Sequence, residues 1–237
     1  MGHMTDVHTW DAIHEATRRL VRTVDSLPDG AFAEPSALPG WSRGHVVAHL
    51  ALNGEGLAGV LHGLVAGDDV PMYASQERRN GDIDELAGQA PGAVRERFLS
   101  ACSLFQEAWE HMTGPAWDGS FRRTPGTDAL PAREIPRMRH GEVEIHHADL
   151  WAGYSASHWP EAYLDATFNR LVADRGAEVS MLLRTPDGDV PVGSEESAVD
   201  GPAVTGSRAD LTWWLLGRGD GQGLTGDPAL PTLGAWR

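Results

Sequence analysis

Lysine is absent: every one of the 19 basic residues in this 237-residue chain is an arginine. A Schiff base to a side-chain amine is therefore excluded, and the cations that remain are planar donors suited to gripping carboxylates at two points. Cysteine occurs once, at Cys102, which rules out an intramolecular disulfide and any metal motif built from paired cysteines. Positive charge is also scarce. Against 34 acidic residues the arginines leave a net charge of −15, so no clustered basic surface is on offer to phosphates and nucleic acid is not an expected partner. No apolar run approaches the roughly 18 residues of a membrane span. The N-terminal MGHMTDVHTW has no apolar leader, so a cytoplasmic protein without membrane contact is expected, with Met1–His3 an appended piece ahead of Met4.

What is present is an ordinary globular composition, 41% hydrophobic and 22% charged, long enough for two domains. Apolar residues recur at helical spacing from Val7 to Leu27 and again after Ser42, a good N-cap, through Leu64. A third helix is predicted from Pro91 to Met112, with a loop and a short helical piece at Met72–Leu86 before it. A fourth runs from Pro131 to Trp151, with Pro136 marking a kink or its true start. Four amphipathic helices imply an antiparallel bundle. After a further helix at Glu161–Ala173, short strand candidates at 179–183, 190–192 and 203–204 and a helix at 210–216 give a different texture. The reading is mainly α with a small α+β part: a bundle domain over residues 4–160 and a small α/β domain over 161–237.

The fourth helix holds the densest chemistry: Arg139, His140, Glu142, Glu144, His146, His147 and Asp149. At about 100° per residue, Arg139, Glu142, His146 and Asp149 share one face, while His140, Glu144 and His147 point the other way. His140 and His147 are accordingly expected at the surface. Glu142 and His146, four apart, can offer an oxygen and a nitrogen to one metal in a bundle core. The third ligand must come from a facing helix, and either His45 or His49 could supply it, closing a His2Glu set with a coordination position left open, as in catalytic zinc sites. Cys102, on the edge of an apolar stripe, reads as a packing residue.

Four segments, taken in order, carry a resemblance: LPGWSRGHVVAHLALN (38–53), VPMYASQERRNGDI (70–83), MRHGEVEIHHADL (138–150) and VTGSRADLTWWLLGRGDGQGL (204–224). Together they resemble the mycothiol-dependent maleylpyruvate isomerases. The resemblance implies a DinB-like four-helix bundle that binds zinc through His49, Glu142 and His146, choosing His49 over His45. It implies a small second domain whose Gly217-Arg218-Gly219 turn brings Arg218 to the active site. The cofactors implied are zinc and mycothiol, and the substrate is a dicarboxylate, maleylpyruvate, isomerised to fumarylpyruvate in gentisate breakdown by reversible addition of the thiolate. Arg218 and Arg79 are the candidates for holding the carboxylates or the enolate, and Arg218 and Asn53 for contacting the cofactor. A transferase that leaves mycothiol joined to an electrophile, or a zinc-containing binding module without turnover, would share the same metal site. A monomer is expected.

Overall fold

The computed structural model describes residues 7–227 and 229–234, so the Met1–His3 segment lies outside the described residues. Two compact units make up the chain, with the division at Gly153. The first holds α1 (Trp10–Ser26), α2 (Arg43–Ala66), α3 (Gln76–Ala87), α4 (Pro91–Glu110) and α5 (Ile135–Asp149). Of these, α1, α2, α4 and α5 form the predicted bundle. Helix α2 packs closely on both α4 and α5, and α1 packs on α5, while α1 and α4 approach each other more sparsely. The core follows the apolar stripes: Leu20, Val24, Val46, Leu50, Phe98 and Val143 form one cluster, and Leu57, Leu61, Phe105 and Ile135 another.

Helix α2 is apolar on nearly all sides because it is the central element, with neighbours on several faces. Its start is set by Ser42, whose hydroxyl accepts from the His45 backbone N–H while the His45 ring takes the Ser42 N–H, a reciprocal cap. Removing the cap as Ser42→Ala should cost about 1 kcal/mol of stability, read from the urea midpoint, with the fold retained. An unchanged midpoint would show that the cap contributes nothing.

Helix α3 is longer than the short piece expected in the 72–86 loop. The Ser75 side chain accepts from Arg78 N–H at its start, and Ile83 and Leu86 bury themselves in the core. Pro136 marks the true start of α5 and not a kink, since a 3-10 turn at Ala132–Glu134 precedes it and the ring lies in the first helical turn, where no N–H is needed. The expectation of surface positions for His140 and His147 is corrected. Both are 1% exposed, as Glu144 is 0%, because α1 covers that face of α5. Arg19 donates to Glu144 at 2.7 Å, His147 Nε2 meets the Thr23 hydroxyl at 2.7 Å, and His140 meets His8 at 3.2 Å. Helix α5 therefore buries charged or polar side chains on two faces.

The second unit carries α6 (Glu161–Arg175), α7 (Glu195–Val199), α8 (Arg208–Leu215) and a four-stranded sheet ordered β4-β3-β5-β6. Its strands are β3 (Met181–Thr185), β4 (Gly188–Val192), β5 (Ala203–Thr205) and β6 (Thr225–Asp227), with β3 and β5 parallel and the other pairs antiparallel. The first unit adds only the short pair β1 (Ser120–Phe121) and β2 (Leu130–Pro131). Buried Arg175 knits the second unit together, donating to Leu215 O and Gly234 O and pairing with Glu178. Arg218 follows α8 in a turn whose flanking glycines have φ of 73° and 66°, a conformation side chains rarely adopt.

Candidate metal centre

The Gly-Trp-Ser-Arg segment at the start of α2 works as a bracket for the site. Trp41 lays its ring 5.7 Å from that of His49, and Ser42 starts the helix that carries His49. Arg43 reaches across to the end of α5, donating to the carbonyls of Leu150 at 2.7 Å and Trp151 at 2.9 Å. The two helices that hold the cluster are thus tied at one end by a guanidinium on orphan C-terminal carbonyls.

Between them His49, Glu142 and His146 converge, with one ligand atom from each within 4.8 Å of the others. The Glu142 carboxylate oxygen Oε2 lies 2.8 Å from His49 Nε2 and 3.3 Å from His146 Nε2, and the two rings meet edge to face at 4.7 Å. His45, the alternative left open by helical spacing, turns Nδ1 to the Ser42 cap, and the α2 histidine that reaches the cluster is His49. Buried Asp149 accepts from His146 Nδ1 at 2.8 Å, which leaves Nε2 to point at the cluster. The donor set, its convergence and the outer carboxylate all fit a divalent metal of the zinc type. When bound, such an ion would lower the pKa of a thiol or water in its remaining position.

The protonation states fit the same role. Burial dominates at His49 and pushes its pKa down to about 4 despite the neighbouring carboxylate, so that ring is neutral. Burial also works against ionisation of Glu142, but the two histidines outweigh it and hold the carboxyl well below its ordinary value. At His146 burial is outweighed by the hydrogen bonds to Asp149 and Glu142, which raise the pKa to about 9. In the metal-free protein, then, one proton on His146 competes with the metal. Zinc affinity should rise roughly tenfold per pH unit between neutrality and about 9. Competition titrations against a chromophoric chelator at several pH values check this, and a pH-independent affinity would contradict it.

Arg79 on α3 donates through NH2 to His49 Nδ1 at 3.0 Å and lies 5.6 Å over the Tyr73 ring. A metal on His49 Nε2 requires the proton on Nδ1, and Arg79, which can only donate, is then available to another acceptor. A cleft of about 390 Å³ opens beside it, lined by Tyr73, Arg78, Arg97, Glu55 and Asp82 among others. Arg97 pairs with Glu55 and Arg78 with Asp82, whereas among the described residues Arg79 has no carboxylate partner. Burial, aided by the charge of Glu142, pushes the Tyr73 phenol upward, so it stays a protonated donor. Tyr73 lies within the 70–83 segment that carries the resemblance but is not among the candidate site residues. Its only sequence signal was its place six residues before Arg79.

Other site candidates fall elsewhere. Asn53 is 1% exposed and its Oδ1 accepts from Arg139 NH1 at 2.8 Å. Cys102 is a partly buried thiol whose pKa burial pushes up, the opposite of what an attacking sulfur needs. Arg218 belongs to the second unit, where its backbone N–H bonds to Trp213 O at 3.2 Å.

Fold and site together define a helical-bundle protein with a candidate metal site, in a chain that also carries a small α/β unit. Residues 13–151 match the family model for the mycothiol maleylpyruvate isomerase N-terminal domain, and the chain belongs to that family. Among solved structures it is similar to a mycothiol-dependent maleylpyruvate isomerase, at 28% identity and a TM-score of 0.84, with 94% of each chain covered. It is similar to a histidine-to-alanine mutant of a mycothiol-dependent maleylpyruvate isomerase, at 27% identity, with the same TM-score of 0.84 and coverage of 94% of each chain. No curated protein sequence matches.

Proposed function

We propose that this chain is a zinc- and mycothiol-dependent cis-trans isomerase acting on maleylpyruvate. The observation that carries the reading is the convergence of His49, Glu142 and His146 within 4.8 Å beside an arginine without a carboxylate partner among the described residues. When bound, zinc and mycothiol would supply a thiolate able to add reversibly to a conjugated double bond, making it single for long enough to rotate. The chain has no lysine and its cysteine has a raised pKa, which favours an external thiol as the nucleophile. Its residues supply the remainder. His49, Glu142 and His146 hold the metal, and Asp149 fixes the His146 ring. Arg79 receives a substrate carboxylate or the enolate charge, with the Tyr73 hydroxyl as a neutral donor alongside. Arg218 is assigned the second cationic contact from the α/β unit, as the family resemblance implies.

Omitting one component at a time tests the reading. Purified protein with zinc and mycothiol should convert maleylpyruvate, while leaving out the thiol, or stripping the metal with a chelator, should each abolish turnover. Turnover that persists without either component would overturn the proposal.

A further inference from the structure

The sparse approach of α1 and α4 leaves a groove of about 360 Å³ whose lining includes Trp10, Val21 and Phe105 as apolar wall and Arg18, Arg22 and Arg139 as cations. Its floor is a buried guanidinium. The Arg139 guanidinium is 0% exposed. It donates through NH1 to Asn53 Oδ1 at 2.8 Å and to Leu50 O at 3.3 Å, and it lies 5.3 Å over the Phe105 ring. The other edge is poorly served: NH2 has only the Cys102 sulfur at 4.0 Å, and Nε has no hydrogen-bond partner. Among the described residues no carboxylate reaches ion-pair distance of Arg139, whereas the comparably buried Arg175 has Glu178 and two backbone carbonyls.

A buried charge without a counter-ion costs several kcal/mol unless something compensates it. The idle Nε and NH2 edge of a guanidinium is the one that accepts a carboxylate through two parallel bonds. Thr17, Ser103 and Gln106 also line the groove, and among the described residues no acidic one does. Glu15, which pairs with Arg18 and Arg22, lies outside the lining.

We propose that the groove between α1 and α4 is a second ligand site, separate from the metal centre, that takes a small aromatic carboxylate. The carboxylate meets the free edge of Arg139 beside Cys102, and the ring lies against Trp10, Val21 and Phe105. Arg139 stands three residues before Glu142 on α5, and its partner Asn53 four after His49 on α2, so the groove and the metal cluster draw on the same two helices.

Benzoate is the probe, titrated by calorimetry into the zinc-loaded full chain. Saturable binding is expected, and benzamide, which has the same ring without the charge, should bind at least about tenfold more weakly. Benzoate should also slow alkylation of Cys102 by iodoacetamide, which reports occupancy of this groove and not of the metal centre. Arg139→Met should lose benzoate binding. Should that variant fail to fold, Ser103→Trp, which fills the groove from an exposed position on α4, should lose it with the metal content unchanged. No saturable binding, equal binding of benzamide, or benzoate binding that survives Ser103→Trp would each overturn the proposal.

Discussion

A His49→Ala protein should purify with its helices intact and its metal gone. His49 is one of the three proposed ligands and joins α2 to α5, and among the described residues no other histidine, cysteine or acidic residue belongs to the cluster. Loss of a mere outer hydrogen-bond partner costs metal affinity 10- to 100-fold, so loss of a ligand should cost on the order of a hundredfold or more. The helical fold should survive, since Leu50, Val46 and Leu57 keep α2 packed and Glu142 retains His146. Elemental analysis beside far-ultraviolet circular dichroism reads both at once. Undiminished zinc with normal helicity would mean that the metal sits elsewhere.

The second large effect is expected at Arg218. The proposed reaction builds negative charge on a substrate that already carries two carboxylates, and Arg79 is the first cation proposed for that load. If Arg218 supplies the other, Arg218→Ala should lower kcat/KM by on the order of 2 to 4 kcal/mol, the scale of one preorganised charged donor. Zinc content should stay the same, since none of the converging ligands lies in the second unit. Steady-state kinetics with metal analysis separates the two effects. Kinetics like those of the unaltered enzyme would remove the second unit from catalysis.

How much of this was legible in the sequence follows from which physical signals are local. Helical spacing located α1, α2, α4 and α5 and placed Glu142 and His146 on one face, because an amphipathic stripe and an i,i+4 pair are written within a few residues of each other. The choice between His45 and His49 was not local in that sense, since both share a face of α2. The resemblance implied His49, and in the structure His49 is the one in the cluster while His45 takes part in the Ser42 cap. Burial of His140, Glu144 and His147 was missed because it depends on α1 covering a second face of α5, and polar side chains on that face look solvated until their partners Arg19 and Thr23 are seen. Helix α3 was underestimated because its composition is polar and only Ile83 and Leu86 anchor it. Strand β6 was missed for a similar reason: a three-residue edge strand, Thr-Gly-Asp, has no alternating pattern to read.

The most direct measurement of the central claim is the identity of the product when maleylpyruvate, mycothiol and the zinc-loaded protein are followed together by proton NMR. The account predicts that the cis olefin signals give way to those of trans fumarylpyruvate while the mycothiol concentration stays constant. Accumulation of a stable thioether with loss of free thiol, or a cis olefin that persists with metal and thiol both present, would contradict it.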